Sequence, residues 1–166
     1  MAAGCVETDT ITYNAAVSSC AKGRAWEQAL HLLRDMANSN LERNRITYNA
    51  AISTCSWGGG WVLALHFFRE MSEGTVEMDT ITYSAAVSAC EKGGAWEPAL
   101  HLFREMASTH VERGTITYNA VFSAFQHAGK WVRVLQLLRE MVESNVVRDS
   151  ITYNAGISAC GKGAAW

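Results

Sequence analysis

The chain has 166 residues, enough for one domain or for a short stack of repeats. With 49% hydrophobic and 18% charged residues it is no disordered tail, and one Pro against 13 Gly excludes collagen-like and Pro-rich linker sequences. A formal net charge of -2 excludes holding nucleic acid by bulk charge alone, so any such binding must rest on locally placed residues.

Met1 to Asp9 form a lead-in with neither a basic n-region nor an apolar h-region, and it is not rich in Arg and Ser. No signal or transit peptide is visible there. No apolar run approaches the roughly 18 residues of a membrane span. From Thr10 onward the chain repeats. The tripeptide Ile-Thr-Tyr starts at Ile11, Ile46, Ile81, Ile116 and Ile151, each step being 35 residues without insertion or deletion. Trp26, Trp61, Trp96, Trp131 and Trp166 keep that period, as do Met36, Met71, Met106 and Met141. Thr10–Asn44 and Thr80–Gly114 share 23 identities over 35 aligned positions, far beyond chance. A period of this size is the mark of a solenoid, whose units bury their apolar faces only against neighbours.

Four complete units follow from the period: Thr10–Asn44, Arg45–Asp79, Thr80–Gly114 and Thr115–Asp149. A partial fifth runs over Ser150–Trp166, stops before a second helix, and makes the chain look like a piece of a longer array. Each unit reads as two helices. Asp9, Asp79 and Asp149 stand where an N-cap accepts a backbone N–H. A first helix such as Thr10–Ala21 follows, closed by Lys22-Gly23. The second begins near Trp26, and Trp26, Ala29, Leu30, Leu33 and Met36 form one apolar stripe at helical spacing. Pro98 falls in the first turn of its helix, where a missing N–H costs little. The segment Asn38–Asn44 links to the next unit. No stretch alternates like a strand. The expected fold is all-α, a right-handed superhelical solenoid of helix-turn-helix repeats.

The remaining periodic residues divide into core and surface. Tyr13, Tyr48, Tyr83, Tyr118 and Tyr153 are expected in the core rather than as a base-stacking ladder. The Trp series is expected to pack against the first helix, while Trp57, directly before Gly58-Gly59-Gly60, falls in a turn. Cys20, Cys55, Cys90 and Cys160 share a slot that Phe125 also fills, so it reads as buried packing rather than as disulfide or zinc. His31, His66 and His101, replaced by Gln136 in the fourth unit, lie off the stripe and should face solvent. Arg34-Asp35, Arg69-Glu70, Arg104-Glu105 and Arg139-Glu140 make a solvated face. No nucleophilic triad, phosphate loop or isolated carboxylate pair appears, so neither an enzyme nor a metal or cofactor site is expected.

The 35-residue period, Asp-Thr-Ile-Thr-Tyr-Asn-Ala at Asp9–Ala15, Lys22-Gly23 and the run Trp26–Met36 together resemble the pentatricopeptide repeat family in its 35-residue form, over nearly the whole chain. The tetratricopeptide repeat, with 34 residues and a different Trp-Leu-Gly-Tyr pattern, fits less well. The resemblance implies recognition of single-stranded RNA, one base per repeat. It implies that the residue after the Tyr pairs with the last residue of the same repeat to read the base: Asn14 with Asn44, Asn49 with Asp79, Ser84 with Gly114, and Asn119 with Asp149. Asn154 has no partner before the chain ends. It also implies that Ile11, Ile46, Ile81, Ile116 and Ile151 pack on the base planes.

By the same resemblance Asn with Asp prefers U, Asn with Asn leans to C, and Ser leans to A. The expected ligand is C-U-(A or loose)-U, with the Gly114 unit reading weakly. Each assignment has a structural alternative. The Asn can hydrogen-bond within its own helix turn, and the Ile series can pack between units. Lys22, Lys92 and Lys162 reach a phosphate or complement the helix dipole, and Trp57 and His127 interrupt that track. The setting implied is organellar RNA processing, stabilisation or editing, in a mitochondrion or plastid. The alternative is a scaffold whose groove takes a protein partner; a third is an array that binds nothing.

Overall fold

The computed structural model describes residues 10–162 apart from 24, 40, 57–59 and 75. The expectations placed on Asp9, Trp57 and Trp166, and on the side chains of Lys22, Cys160 and Lys162, lie outside the described residues. Nine helices alternate along the described chain, with no strand among them: α1 (Thr10–Gly23), α2 (Trp26–Asn38), α3 (Arg45–Cys55), α4 (Trp61–Glu73), α5 (Thr80–Lys92), α6 (Trp96–Ser108), α7 (Thr115–His127), α8 (Trp131–Glu143) and α9 (Ser150–Lys162). Odd-numbered helices open the units and even-numbered ones follow.

The helix starts are set by local chemistry. Asn44 and Asp79 each accept the N–H of the Thr three residues on, and that Thr hydroxyl accepts from the capping residue's own N–H, a reciprocal box at the start of α3 and α5. Asp149 accepts from Thr152 N at 2.8 Å in the same way. Gly114 has no side chain to offer α7. Pro98 is the third residue of α6, inside the first turn. The expected closing turn differs in detail. α1 continues through Lys22 to Gly23, and the left-handed residue that reverses the chain is one place later, Gly94 at φ 69° and Gly129 at φ 66°. Gly93 serves another purpose. A Cβ there would fall 2.2 Å from Trp61 Cδ1, so its absence makes room for the indole.

Packing is continuous between units. Successive odd-numbered helices touch one another, whereas each even-numbered helix touches only the odd-numbered helices on either side. That asymmetry curves the array with the odd-numbered helices as its inner layer. The stripes expected on the second helices are buried: Ala29, Leu33 and Met36 on α2, and Ala99, Leu102, Phe103 and Met106 on α6. Tyr48, Tyr83 and Tyr118 are core residues and Tyr13 is half-buried, but Tyr153 is 53% exposed, with α8 on one side of α9 and no later even-numbered helix among the described residues.

Among the described residues, the aromatic contacts between different helices join one unit to the next. Phe68 of α4 meets Tyr83 of α5 edge to face at 5.0 Å, and Phe103 of α6 meets Tyr118 of α7 at 4.8 Å. Two of the Trp series behave likewise: Trp61 covers Gly93 of α5 and Trp96 lies 6.0 Å from Phe125 of α7, so these indoles pack on the first helix of the following unit. Ion pairs tie the linkers to the next unit. Arg43 pairs with Glu70, and Arg113 with Glu140 while its guanidinium stacks 4.9 Å from the Phe103 ring.

Candidate functional site

The Ile of each repeated tripeptide stands on the inner helices and is not core. Ile11, Ile46, Ile81, Ile116 and Ile151 are between 60 and 77% exposed. This corrects the packing alternative: an aliphatic side chain at the second position of an odd helix projects away from the even helices that build the core. Five regularly spaced, solvent-facing isoleucines leave apolar surface uncovered on one layer.

Behind this row lie the paired polar positions, and the structure brings the partners together. In the first unit Asn14 Nδ2 donates to Asn44 Oδ1 at 3.3 Å, and Asn14 is only 8% exposed. In the fourth, Asn119 Nδ2 is 3.2 Å from both oxygens of Asp149. In the second, Asn49 and Asp79 are joined through one hydroxyl, Thr82 Oγ1, at 2.8 and 3.0 Å from their Oδ1 atoms. In the third, Ser84 Oγ and Thr117 Oγ1 are 2.8 Å apart, and Gly114 adds nothing. The alternative of an Asn bonded within its own helix turn is corrected too: Asn14, Asn49 and Asn119 each accept at Oδ1 from the Thr of the following unit.

Those threonines are the residues that sequence reasoning passed over. Thr47, Thr82, Thr117 and Thr152 are buried. Three of them, Thr47, Thr82 and Thr152, link the capping residue of their own helix to the Asn of the unit before. The signal was present in the repeated tripeptide, since a Thr three residues after a capping Asn or Asp is half of a capping box. Its second bond, across 33 residues, has no sequence signature.

The donor count decides what each slot can offer. Asn119 spends Oδ1 on Thr152 and one amide hydrogen on Asp149, leaving an N–H and part of the carbonyl for a ligand. The Asp149 carboxyl is held below its ordinary range by hydrogen bonds from the Thr152 backbone and hydroxyl, and it accepts only. At Asp79 burial pulls upward, but the bonds from Thr82 and the nearby Arg45 prevail and the net shift is downward. Arg45 Nη1, 3.4 Å from Asp79 Oδ2, is a second residue the sequence did not single out.

Of the expected phosphate contacts, Lys92 is exposed at the end of α5, with Nζ 3.4 Å from Ser56 Oγ. It lines a groove of about 700 Å³ together with Ile81, Ile116, Ser84 and Gly114. His127 and Asn154 are exposed. His31, His66 and His101 face solvent, the last two 3.9 and 3.7 Å from Glu70 and Glu105. Among the described residues no group of three His, Cys, Asp or Glu could hold a metal, and no helix is long and apolar enough to cross a membrane.

The cysteine slot is internal. Burial pushes the Cys55 thiol up to about 11 and the Cys90 thiol up to about 12, so neither ionises near neutrality. At pH 8 both are expected to resist a thiol-specific reagent in the folded chain and to react at once in denaturant. Prompt labelling of Cys90 in the native chain, read by mass spectrometry, would contradict that placement.

Three family profiles match the sequence: the PPR repeat family over residues 8–56 and 113–162, the pentatricopeptide repeat domain over 66–126, and the PPR repeat over 46–74. Among curated proteins no relative matches. Among solved structures the chain is similar to the pentatricopeptide repeat protein PPR10 from maize, at 26% identity and a TM-score of 0.73, covering 96% of this chain and 23% of that one. The same maize protein in complex with an 18-nt psaJ RNA element aligns at 24% identity and 0.78, over 93% and 23% of the two chains. The PPR domain of Arabidopsis thaliana protein-only RNase P 1, in complex with tRNA, aligns at 18% and 0.78, over 89% and 81%. The last two likenesses concern the fold alone, and the chain spans under a quarter of the maize protein's length.

Proposed function

Because this chain belongs to the pentatricopeptide repeat family, we propose that it binds single-stranded RNA sequence-selectively, about one base per repeat, by occupying the RNA rather than by catalysis. The observation that carries this reading is the register, unit by unit, of an exposed Ile with a polar pair just behind it. A base set between Ile81 and Ile116, which line one groove, would gain apolar contact on both faces while its pairing edge meets the Ser84 hydroxyl. The reading assigns Asn14 with Asn44, Asn49 with Asp79, Ser84 with Gly114 and Asn119 with Asp149 to successive bases, 5′ to 3′. Lys92 lies beside the path a backbone phosphate would take.

Proteins similar in fold are solved with RNA, maize PPR10 with an 18-nt psaJ RNA element and the PPR domain of protein-only RNase P 1 with tRNA, which agrees with the substrate class that the family suggests. An organellar role in RNA processing, stabilisation or editing fits the family, and any chemical step would belong to another domain or partner. The alternative is a scaffold whose groove takes a protein partner, and exposed Val62 and Leu63 of α4 with Val132 and Leu135 of α8 offer further apolar surface on the outer layer.

The two readings part in one titration. A labelled RNA containing C-U-A-U is expected to bind at least about tenfold more tightly than a scrambled RNA or the matching DNA, with affinity falling as salt rises. Fluorescence anisotropy at two salt concentrations measures it. Equal binding to all three probes removes the sequence-reading claim, and no binding to any of them, even with further repeats added, favours the protein-scaffold alternative.

A further inference from the structure

The third slot is built differently from its neighbours. In the first and fourth slots, amide or carboxylate side chains touch across the back, and in the second they are joined by Thr82. In the third, Ser84 has two fewer side-chain heavy atoms than Asn and reaches one bond less far, and Gly114 contributes no side chain. A Cβ built on Gly114 meets nothing within 4 Å, so the space is open rather than filled from elsewhere. It merges into the groove of about 700 Å³, whose polar lining consists of hydroxyls and Lys92, with no amide or carboxylate side chain.

Two consequences follow from this chemistry. A hydroxyl turns to donate or to accept, so Ser84 and Thr117 impose no fixed donor pattern on a pairing edge. Affinity then follows contact area, and a two-ring base covers more of Ile81 and Ile116, which are 65 and 74% exposed, than a one-ring base does. The vacancy at Gly114 adds room just where a substituent on the pairing edge would project.

We propose that the third slot, which the family resemblance already gives to adenine through Ser84, admits a purine alkylated on its pairing edge, such as N6,N6-dimethyladenine, because nothing stands beside Gly114 to exclude the substituent. This rests on reading the slots as base pockets. The fourth slot serves as its opposite, because Asp149 is placed to accept from the N3–H of uracil, and a methyl at N3 removes that donor and adds bulk.

The test uses the full chain and RNAs varied at one position. At the third base, adenine and N6,N6-dimethyladenine are expected to bind within about threefold of each other, and uracil about tenfold more weakly than either. At the fourth, N3-methyluracil is expected to bind at least about tenfold more weakly than uracil. Gly114→Asp supplies the decisive variant. Gly114 already has the extended backbone of the capping residues, φ -82° and ψ 170°, against -117° and 179° at Asp79. An aspartate there should cap α7, so the variant is expected to fold and to lose tolerance of the dimethylated base by about tenfold.

If N3-methyluracil and uracil bind alike and scrambled RNA competes equally, the RNA reading fails and takes the slot with it. If the fourth position discriminates while the unaltered chain rejects dimethyladenine, or prefers uracil to adenine at the third base, the slot inference alone is overturned. Tolerance that survives Gly114→Asp overturns it as well, since the space beside Gly114 would not then be the cause.

Discussion

Tyr83→Ala is expected to lower stability by about 3–5 kcal/mol, the range for removing a fully buried aromatic side chain. The ring is 0% exposed and stands edge to face with Phe68 of the preceding unit. Its hydroxyl donates to Glu105 Oε1 at 3.1 Å and receives from Thr109 Oγ1 at 3.4 Å. The cavity would open at a unit boundary. In a solenoid, stability is close to a sum of unit and interface contributions, so losing one interface uncouples the two halves. Urea melting followed by circular dichroism should therefore show an earlier and broader transition rather than a uniform shift.

Two companions separate ring from hydroxyl and motif from burial. Tyr83→Phe keeps the ring and is expected to cost about 1 kcal/mol, because Glu105 is part-exposed and water can replace the lost partner. Tyr153→Ala removes the same residue of the same motif where it is 53% exposed, and a change within about 0.5 kcal/mol is expected. An alanine at 83 that melts with the parent would mean that the unit boundary is not held by this ring.

The period could be read from the chain because motifs recur every 35 residues, and the two helices per unit and the buried stripe of the second helix because each depends on neighbours three or four residues apart. Tyr48, Tyr83 and Tyr118 in the core, the packing slot of Cys55, Cys90 and Phe125, and the outward His ladder could be read from the same recurrence, whereas the exposure of Tyr153 could not. What stayed hidden lies one unit away. Trp61 was legible as a packing residue, but its partner Gly93 is 32 positions on, and only the stacked array shows why that residue carries no side chain. The Ile series could be placed on a helix but not assigned a face, since an odd helix has neighbours on both sides and only their positions show which side is open. Asn14, Asn49 and Asn119 each had a local partner within chemical reach in sequence, and each bonds instead to a buried Thr in the next unit. Local pattern specifies the unit, and stacking specifies the site.

That dependence sets the terms of the second large effect. Asn49→Ser combined with Asp79→Asn is expected to move the preference at the second base from U to A, a swing of at least about tenfold at one position and little at the others. Serine shortens the side chain that meets the base and withdraws the amide. Asparagine at 79 keeps an oxygen to accept from Thr82 N, as Asn44 accepts from Thr47 N at 3.1 Å, so the start of α5 is preserved. It also removes the negative charge beside Arg45, which then has no carboxylate 3.4 Å away and is freer to meet a phosphate. Total affinity is therefore expected to hold or rise slightly while the base preference changes, and the salt dependence should steepen. The double variant must match the parent by circular dichroism, and its preference is read with the four RNAs that differ only at the second base. A uniform loss across all four would assign these residues to helix capping and packing alone. Preference that stays with U would remove Asn49 and Asp79 from base reading, whatever the chain binds.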